Sequence, residues 1–386
     1  MISRPLNAVS KNIKIAGMIS LLALCWHVQP VYAESDPLLV PAITSAKASQ
    51  AMLLSVTQAG ARLVAVGEHG VIVYSDNQGK SWTQAAVPVS VTLTAVFFPD
   101  PQVGWAVGHD GVVLRSQDGG KTWEKRFDGN QANVLMLAEA KEKLDTAQNA
   151  APGSSDAANL QAAQNALSDV EAGAKFGPAR PLLGLWFGSS TDGFVVGAFG
   201  QLFHTADGGT HWTSLAGRVN NPDGLHYNAI TATSHGVLLI SGEGGKIYRS
   251  DNNGASWLTV DTGYQGQLYG TISIRQPGNQ ERLLTFGFGG HAMLADENGG
   301  WKTLTIPSRK NLIGGVQLAD GSVILVAQDG TILRSDATAH TFQVVLQDGA
   351  ASIAGMTILK SDQNSIAMAT SGISGVHITS IGVVNK

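Results

Sequence analysis

Short apolar runs separated by glycine turns recur along the whole chain, and the turns repeat a Gly-x-x-Gly pattern followed by an apolar strand. The pattern reads VGEHGVIVYS from Val66, VGHDGVVLRS from Val107, VGAFGQLFHT from Val196 and SGEGGKIYRS from Ser241. It continues as FGFGGHAMLA from Phe286, VAQDGTILRS from Val326 and SGISGVHITS from Ser371. Successive copies lie 41, 89, 45, 45, 40 and 45 residues apart, so there are seven units and one interval of double length. Each unit reads as four short strands; in the second these are 91–98, 103–108, 112–116 and 123–127. Four strands at this period predict the blades of a propeller, whose radial repetition leaves few exposed sheet edges. The first strands carry small residues at mid-strand, among them Ala95, Gly184, Ala229, Gly270, Gly315 and Gly355, which suits strands crowded around a central channel. The seventh unit has no room for a fourth strand, and the spare segment 38–43 is expected to close the last blade as an N-terminal strand. The fold class is therefore all-β, a seven-bladed β-propeller over residues 34–386.

The double interval holds an insertion over 130–179 whose halves, 132–150 and 157–172, are rich in Ala, Leu, Gln, Glu and Lys. Pro152-Gly153-Ser154-Ser155 separates them, which predicts a helical hairpin with Leu135, Leu144, Leu160 and Leu167 between its helices. It reads first as a tolerated decoration and, as the sharper alternative, as a docking element for a partner.

A second motif lies between the third and fourth strands. RSQDGGKTW at 115–123 has the Asp-box spacing through Ser116, Asp118, Gly120 and Trp123. Further copies use Ser75, Asn77, Gly79 and Trp82, then Thr205, Asp207, Gly209 and Trp212, then Ser250, Asn252, Gly254 and Trp257. A shortened copy ends at Trp301 and a degraded one runs from Ser335 to Phe342. Carboxylates, amides and hydroxyls can bond the turn's own N–H groups, Gly accepts positive φ and Trp buries a large ring, so the boxes read as fold staples. The same box occurs in sialidases, which leaves glycan binding or hydrolysis as an alternative function. A sialidase needs three arginines converging on one carboxylate, the first usually in Arg-Ile-Pro, and that tripeptide is absent. Arg115, Arg249 and Arg334 repeat just before the box in units two, four and six, a spacing that argues against one small ligand. They read as partners of Trp rings and box acids, or as an electropositive rim for a protein partner.

Candidate metal chemistry is thin. Glu68, His69, His109, Asp110, Glu243, His291 and Asp329 lie in or beside the Gly-x-x-Gly turns, but they come from several units without ligand spacing, so no metal is expected. No nucleophile elbow, phosphate loop or dinucleotide fingerprint is present, and neither catalytic residues nor cofactors are assigned.

The first 33 residues carry Arg4, Lys11 and Lys14 and no acid, then an apolar run from Ile15 to Val28, then Val31-Tyr32-Ala33. That is the pattern of a secretory signal peptide cleaved after Ala33, with an apolar core of about 14 residues, short of a membrane span. The single cysteine, Cys25, lies within it behind the bulky Leu24, which disfavours lipid attachment. Without this leader the chain holds 22 Lys and Arg against 29 acids, a balance unsuited to nucleic acid. The expected location is the periplasm, peripheral to the membrane at most.

The leader, the seven box-type blades, the helical insertion and segments such as VGHDGVVLRSQDGGKTW (107–123) and SGEGGKIYRSDNNGASW (241–257) together resemble the photosystem II stability and assembly factor family. The resemblance spans about residues 38–380. It implies a non-catalytic scaffold that binds subunits of an integral membrane complex, photosystem II or another envelope complex such as a transporter. It also implies partner contacts through surface arginines, matched here by Arg115, Arg249 and Arg334. Unit five departs from the pattern with Leu294 in the arginine's place.

Overall fold

The computed structural model describes residues 36–149, 156–275, 280–296, 299–347, 352–362 and 365–382. The leader reading at 1–33 and the turn at 152–155 lie outside the described residues.

Seven antiparallel sheets follow one another, each with its strands in chain order. The blades span 53–84, 93–127, 182–214, 227–261, 268–303, 312–346 and 353–382, and the seventh sheet has three strands where the others have four. In blade two the strands are Leu93–Phe97, Gly104–Gly108, Val113–Ser116 and Glu124–Phe127, within a few residues of the expected bounds. The second strands of blades two, three, four and six, such as Gly104–Gly108 and Val323–Ala327, are buried end to end, because each is covered on both faces by neighbouring blades.

The first strands form the inner wall. In every blade a bulge interrupts the pairing of the first strand with the second, skipping Leu54, Thr94, Leu183, Asn228, Tyr269, Ile313 and Ala354 in turn. All seven skipped residues line one cavity of about 790 Å³ bounded by the first strands of all seven blades, so the bulge turns one side chain per blade into the axial channel. The small residues beside them permit contact between neighbouring backbones. A methyl group added at Gly184 would lie 3.0 Å from the Ala229 Cα, and one at Gly355 would lie 3.0 Å from the Ser55 Cα. The second of these contacts closes the ring between blades seven and one. Side chains tie the inner strands further: Thr94 donates to the Leu182 carbonyl at 2.6 Å and Asn228 to that of Leu268 at 2.9 Å.

The segment 38–43 differs from the sequence expectation. It forms no strand and does not extend blade seven; it runs over the linker between blades one and two. Ala42 N–H donates to Val87 C=O at 3.1 Å and Ser90 N–H to Pro37 C=O at 2.8 Å. Leu38, 2% exposed, drops into an apolar bed of Val87, Val89 and Val91, and the burial of that side chain fixes the segment here.

The insertion is a helical hairpin, α1 (Gly129–Gln148) and α2 (Asp156–Ala174). Asp128 caps α1 by accepting from the amides of Asn130 and Gln131, while the Gln131 side chain accepts from the Asp128 amide. Ala132, Met136 and Ala140 form its buried face, and Glu139 accepts from the Ser214 hydroxyl at 2.5 Å and the Gly217 amide at 2.6 Å. These contacts seat α1 on the outer strand of blade three and the turn after it, and α2 packs along α1. Leu135, Leu144, Leu160 and Leu167 are all half-buried.

Leu38→Ala should lower stability by about 2–4 kcal/mol through the cavity it leaves, read as a reduced urea midpoint. An unchanged midpoint would show that the segment contributes no packing.

Candidate functional site

The chemistry-bearing residues fall on two rims. On one, the four complete boxes share a single geometry. The first hydroxyl, on Ser75, Ser116, Thr205 or Ser250, accepts from the box glycine amide at 2.8–2.9 Å and donates to the side chain of Asn77, Asp118, Asp207 or Asn252. That acceptor also takes the amide of Ser81, Thr122, His211 or Ser256 at 2.9–3.0 Å. Gly79, Gly120, Gly209 and Gly254 have φ of 83°, 88°, 81° and 77°, a region that penalises a side chain. Trp123 donates its indole N–H to Gly120 C=O at 3.1 Å, and Trp212 is similarly buried at 8% exposure.

The box glycines also sit on the preceding blade. A methyl at Gly79 would lie 2.6 Å from Ile378 of blade seven, at Gly120 3.1 Å from Val64, at Gly209 3.0 Å from Trp105 and at Gly254 2.7 Å from Phe194. In blade six Ala339 takes the glycine's place at φ 57° and is fully buried in one cluster with Leu284 of blade five. Each seated box is thus a rivet between blades, which the motif's internal pattern did not reveal.

Hydrogen bonding sets the acidity of the box carboxyls. The amide and imidazole of His211 hold Asp207 down at about 2. At Asp336 burial opposes ionisation, but the Thr338 hydroxyl and surrounding amides outweigh it and the value also falls to about 2. Asp118 is lowered against its burial by the amide and hydroxyl of Thr122.

The three arginines occupy equivalent positions on the third strands of blades two, four and six and are not brought together. Arg115 lies over the Trp105 ring, 5.4 Å from its centroid, and burial lowers its pKa. Arg249 chelates Asp251 with a closest contact of 2.7 Å and is the most solvated of the pairs, 41% exposed. Arg334 pairs with Asp320, in the turn between the first two strands of its blade, and donates to Ser322 at 3.1 Å. Arg62, the only arginine early in the propeller, binds Asp76 and the carbonyls of Asp118 and Gly119, joining blades one and two.

On the opposite rim the Gly-x-x-Gly residues make local bonds. Glu68 accepts from the Met52 amide at 3.0 Å, Asp329 from the Thr331 amide at 3.1 Å, and Glu243 from the amide and ring of His226 at 2.8 and 2.9 Å. His291 stacks on Tyr264 at 3.8 Å, and burial pushes its pKa down; burial pushes the Asp110 carboxyl up. Turn residues His69, Asp110 and Phe199 hold φ of 52°, 55° and 57°, and the Phe199 ring is 55% exposed. Among the described residues no three His, Cys, Asp or Glu side chains converge to hold a metal ion.

Two outcomes follow from the boxes. Gly209→Ala should cost about 1–3 kcal/mol, from its positive φ and the contact with Trp105, seen as a lowered melting temperature; an unchanged value would show that blade three's box does not bear on blade two. A carboxyl whose folded pKa is depressed stabilises the fold above its unfolded pKa, and this contribution disappears as pH falls from about 4 towards 2. Asp118→Asn with Asp207→Asn, the residue type already present at Asn77 and Asn252, keeps the amide acceptor but removes the charge, so it should melt somewhat below wild type at pH 7 and lose less stability than wild type between pH 4 and 2. Superimposable acid profiles would contradict this.

Residues 74–141 match the family model for the photosynthesis system II assembly factor YCF48. No curated protein sequence matches the chain. Among solved structures, YCF48 bound to D1 peptide is similar with a TM-score of 0.59 at 15% identity, over 90% of this chain and 100% of that one. YCF48 from Cyanidioschyzon merolae is similar with a TM-score of 0.59 at 14% identity, over 86% and 96% of the two chains. The chain has the fold of the photosystem II assembly factors, a seven-bladed propeller, and carries their sequence signature in residues 74–141.

Proposed function

We propose that this protein is a non-catalytic assembly or accessory factor that binds a subunit of an integral membrane complex on the periplasmic or lumenal side. The observation that carries the reading is a likeness to assembly factors along nearly the whole ring, together with their signature in residues 74–141, a span that includes Arg115. One of the similar structures is YCF48 bound to D1 peptide, so a peptide is the class of ligand this reading favours. The leader pattern supports export, and none of the described helices is long and apolar enough to cross a membrane, which supports a peripheral association.

The arginines also favour the scaffold over a sialidase-type enzyme. Arg115, Arg249 and Arg334 stand in three separate blades, each engaged by its own ring or carboxylate, so they supply no common clasp for one carboxylate. Spread around a rim, they suit an extended protein partner, and the reading assigns them to that contact.

Deleting the gene should reduce one membrane complex several-fold in native-gel profiles of the source organism. The Arg115→Ala, Arg249→Ala, Arg334→Ala triple variant, exported and folded, should fail to restore it. Normal abundance of every membrane complex in the deletion strain would overturn the reading.

A further inference from the structure

Blade seven lacks the outer strand that every other blade has. In the six complete blades the third strand pairs with a fourth on its outer side, whereas in blade seven the third strand, Gly375–Gly382, is the edge of the sheet. The segment 38–43 does not cover it. Leu38 is buried against the linker after blade one, and the Gln84 side chain holds Ile43 C=O at 2.9 Å and Ser45 N–H at 2.8 Å. The chain then passes Ser49 over Gly375 at one end of the edge, so that among the described residues Val376–Ser380 stays open along its side.

The complete blades show what such an edge bonds. Ala85, Leu215 and Leu304 donate their amides at 2.8–2.9 Å to the carbonyls of Ile72, Leu202 and Ala292. Each of these acceptors pairs with the residue just before the last glycine of its second strand: Val66, Val196 and Phe286. In blade seven that residue is Ser371, and its partner is Val376. The sequence repeat aligns His377 there instead, but the pair Gly372 and Gly375 closes this hairpin sooner and shifts the strand by one residue. Antiparallel strands alternate pairs that bond each other with pairs whose groups point away, so Val376, Ile378 and Ser380 turn their N–H and C=O groups outward. No described residue donates to those three carbonyls from the open side.

The side chains add a preference. The fourth-strand residue at this place is apolar in all six complete blades: Ala85, Phe127, Leu215, Val260, Leu304 and Leu346. Two residues further along the third strand, where blades two, four and six carry Arg115, Arg249 and Arg334, blade seven carries Ile378, 41% exposed. Gly375–Gly382 contains no Lys, Arg, Asp, Glu or Pro, the charges and imino acid that guard natural sheet edges against pairing. Val376 and Ile378 on an uncharged edge are complementary to an extended, uncharged segment with apolar residues at the two facing positions.

A second copy of the chain fits the edge poorly. Blades six and one keep four strands, so the edge between them is set back by one strand spacing, about 4.8 Å. The edge of another ring would be set back equally, and the flanking blades of the two rings would meet first. A free extended segment has no such flanks.

We propose that the open edge of blade seven is a docking site at which an extended, uncharged and apolar segment of the client protein adds as the fourth strand. This deepens the assembly-factor reading and rests on it.

The test uses the mature chain and a fluorescein-labelled octapeptide, Ser-Thr-Val-Thr-Val-Thr-Val-Ser, read by anisotropy. The control is the same peptide methylated on its valine nitrogens, which removes the donors that face the edge. The parent peptide should bind and the methylated one should not. Ser380→Pro deletes one outward N–H at an exposed residue, and Ile378→Lys places a charge on the edge; each should weaken binding about tenfold or more. Equal binding of both peptides, binding of neither, or binding unaffected by both variants would overturn the proposal. A photo-crosslinker at Ser380 should capture an integral membrane chain in membranes of the source organism, and capture of a second copy, of this chain's own residues or of nothing would overturn it as well. If gene deletion depletes a membrane complex and the Ser380→Pro protein restores it fully, the edge proposal fails and the assembly-factor reading stands.

Discussion

The structure depends on how closely one blade can approach the next. Near the axis this is a backbone contact, permitted because Gly184 faces Ala229 and Gly355 faces Ser55 without side chains between them. Further out it is the box glycine, held at positive φ by a hydroxyl that accepts its amide and pressed against the neighbouring blade. Both contacts require the absence of a Cβ, so the same glycines that shape individual turns also set the spacing around the ring. A bulge in each first strand then directs one side chain per blade into the channel.

The surface follows from this frame. The arginines before the boxes stand on third strands of alternate blades, where the fold keeps them apart and gives each a partner: a ring for Arg115, a box acid for Arg249, a turn acid for Arg334. Such spacing suits an extended partner better than a small substrate. The helical hairpin adds surface beside blade three, seated through Met136 and Glu139 of α1, with α2 packed along α1 and its Val170 against the same apolar cluster.

Much of the fold was legible because propeller blades are built from local patterns. The Gly-x-x-Gly turn, the apolar strand after it and the box fall within about twenty residues of each other, so each blade announces itself, and helix formers split by Pro152-Gly153 announced the hairpin. Contacts between blades were less legible, since they join residues far apart in the chain. Leu38 was available to pack on Val87 and Val89 or to extend blade seven, and burial rather than strand propensity decided the outcome. The positive φ of Phe199 likewise breaks the expectation that such turn positions carry Gly, Asn or Asp, and no sequence signal marked it.

The most direct test of a scaffold that holds membrane-protein subunits is chemical crosslinking of the tagged mature protein in membranes of its own organism, followed by mass spectrometry of the captured chains. The account predicts crosslinks to integral membrane subunits of one complex. Recovery of soluble or glycosylated material alone, with no integral membrane chain, would contradict it.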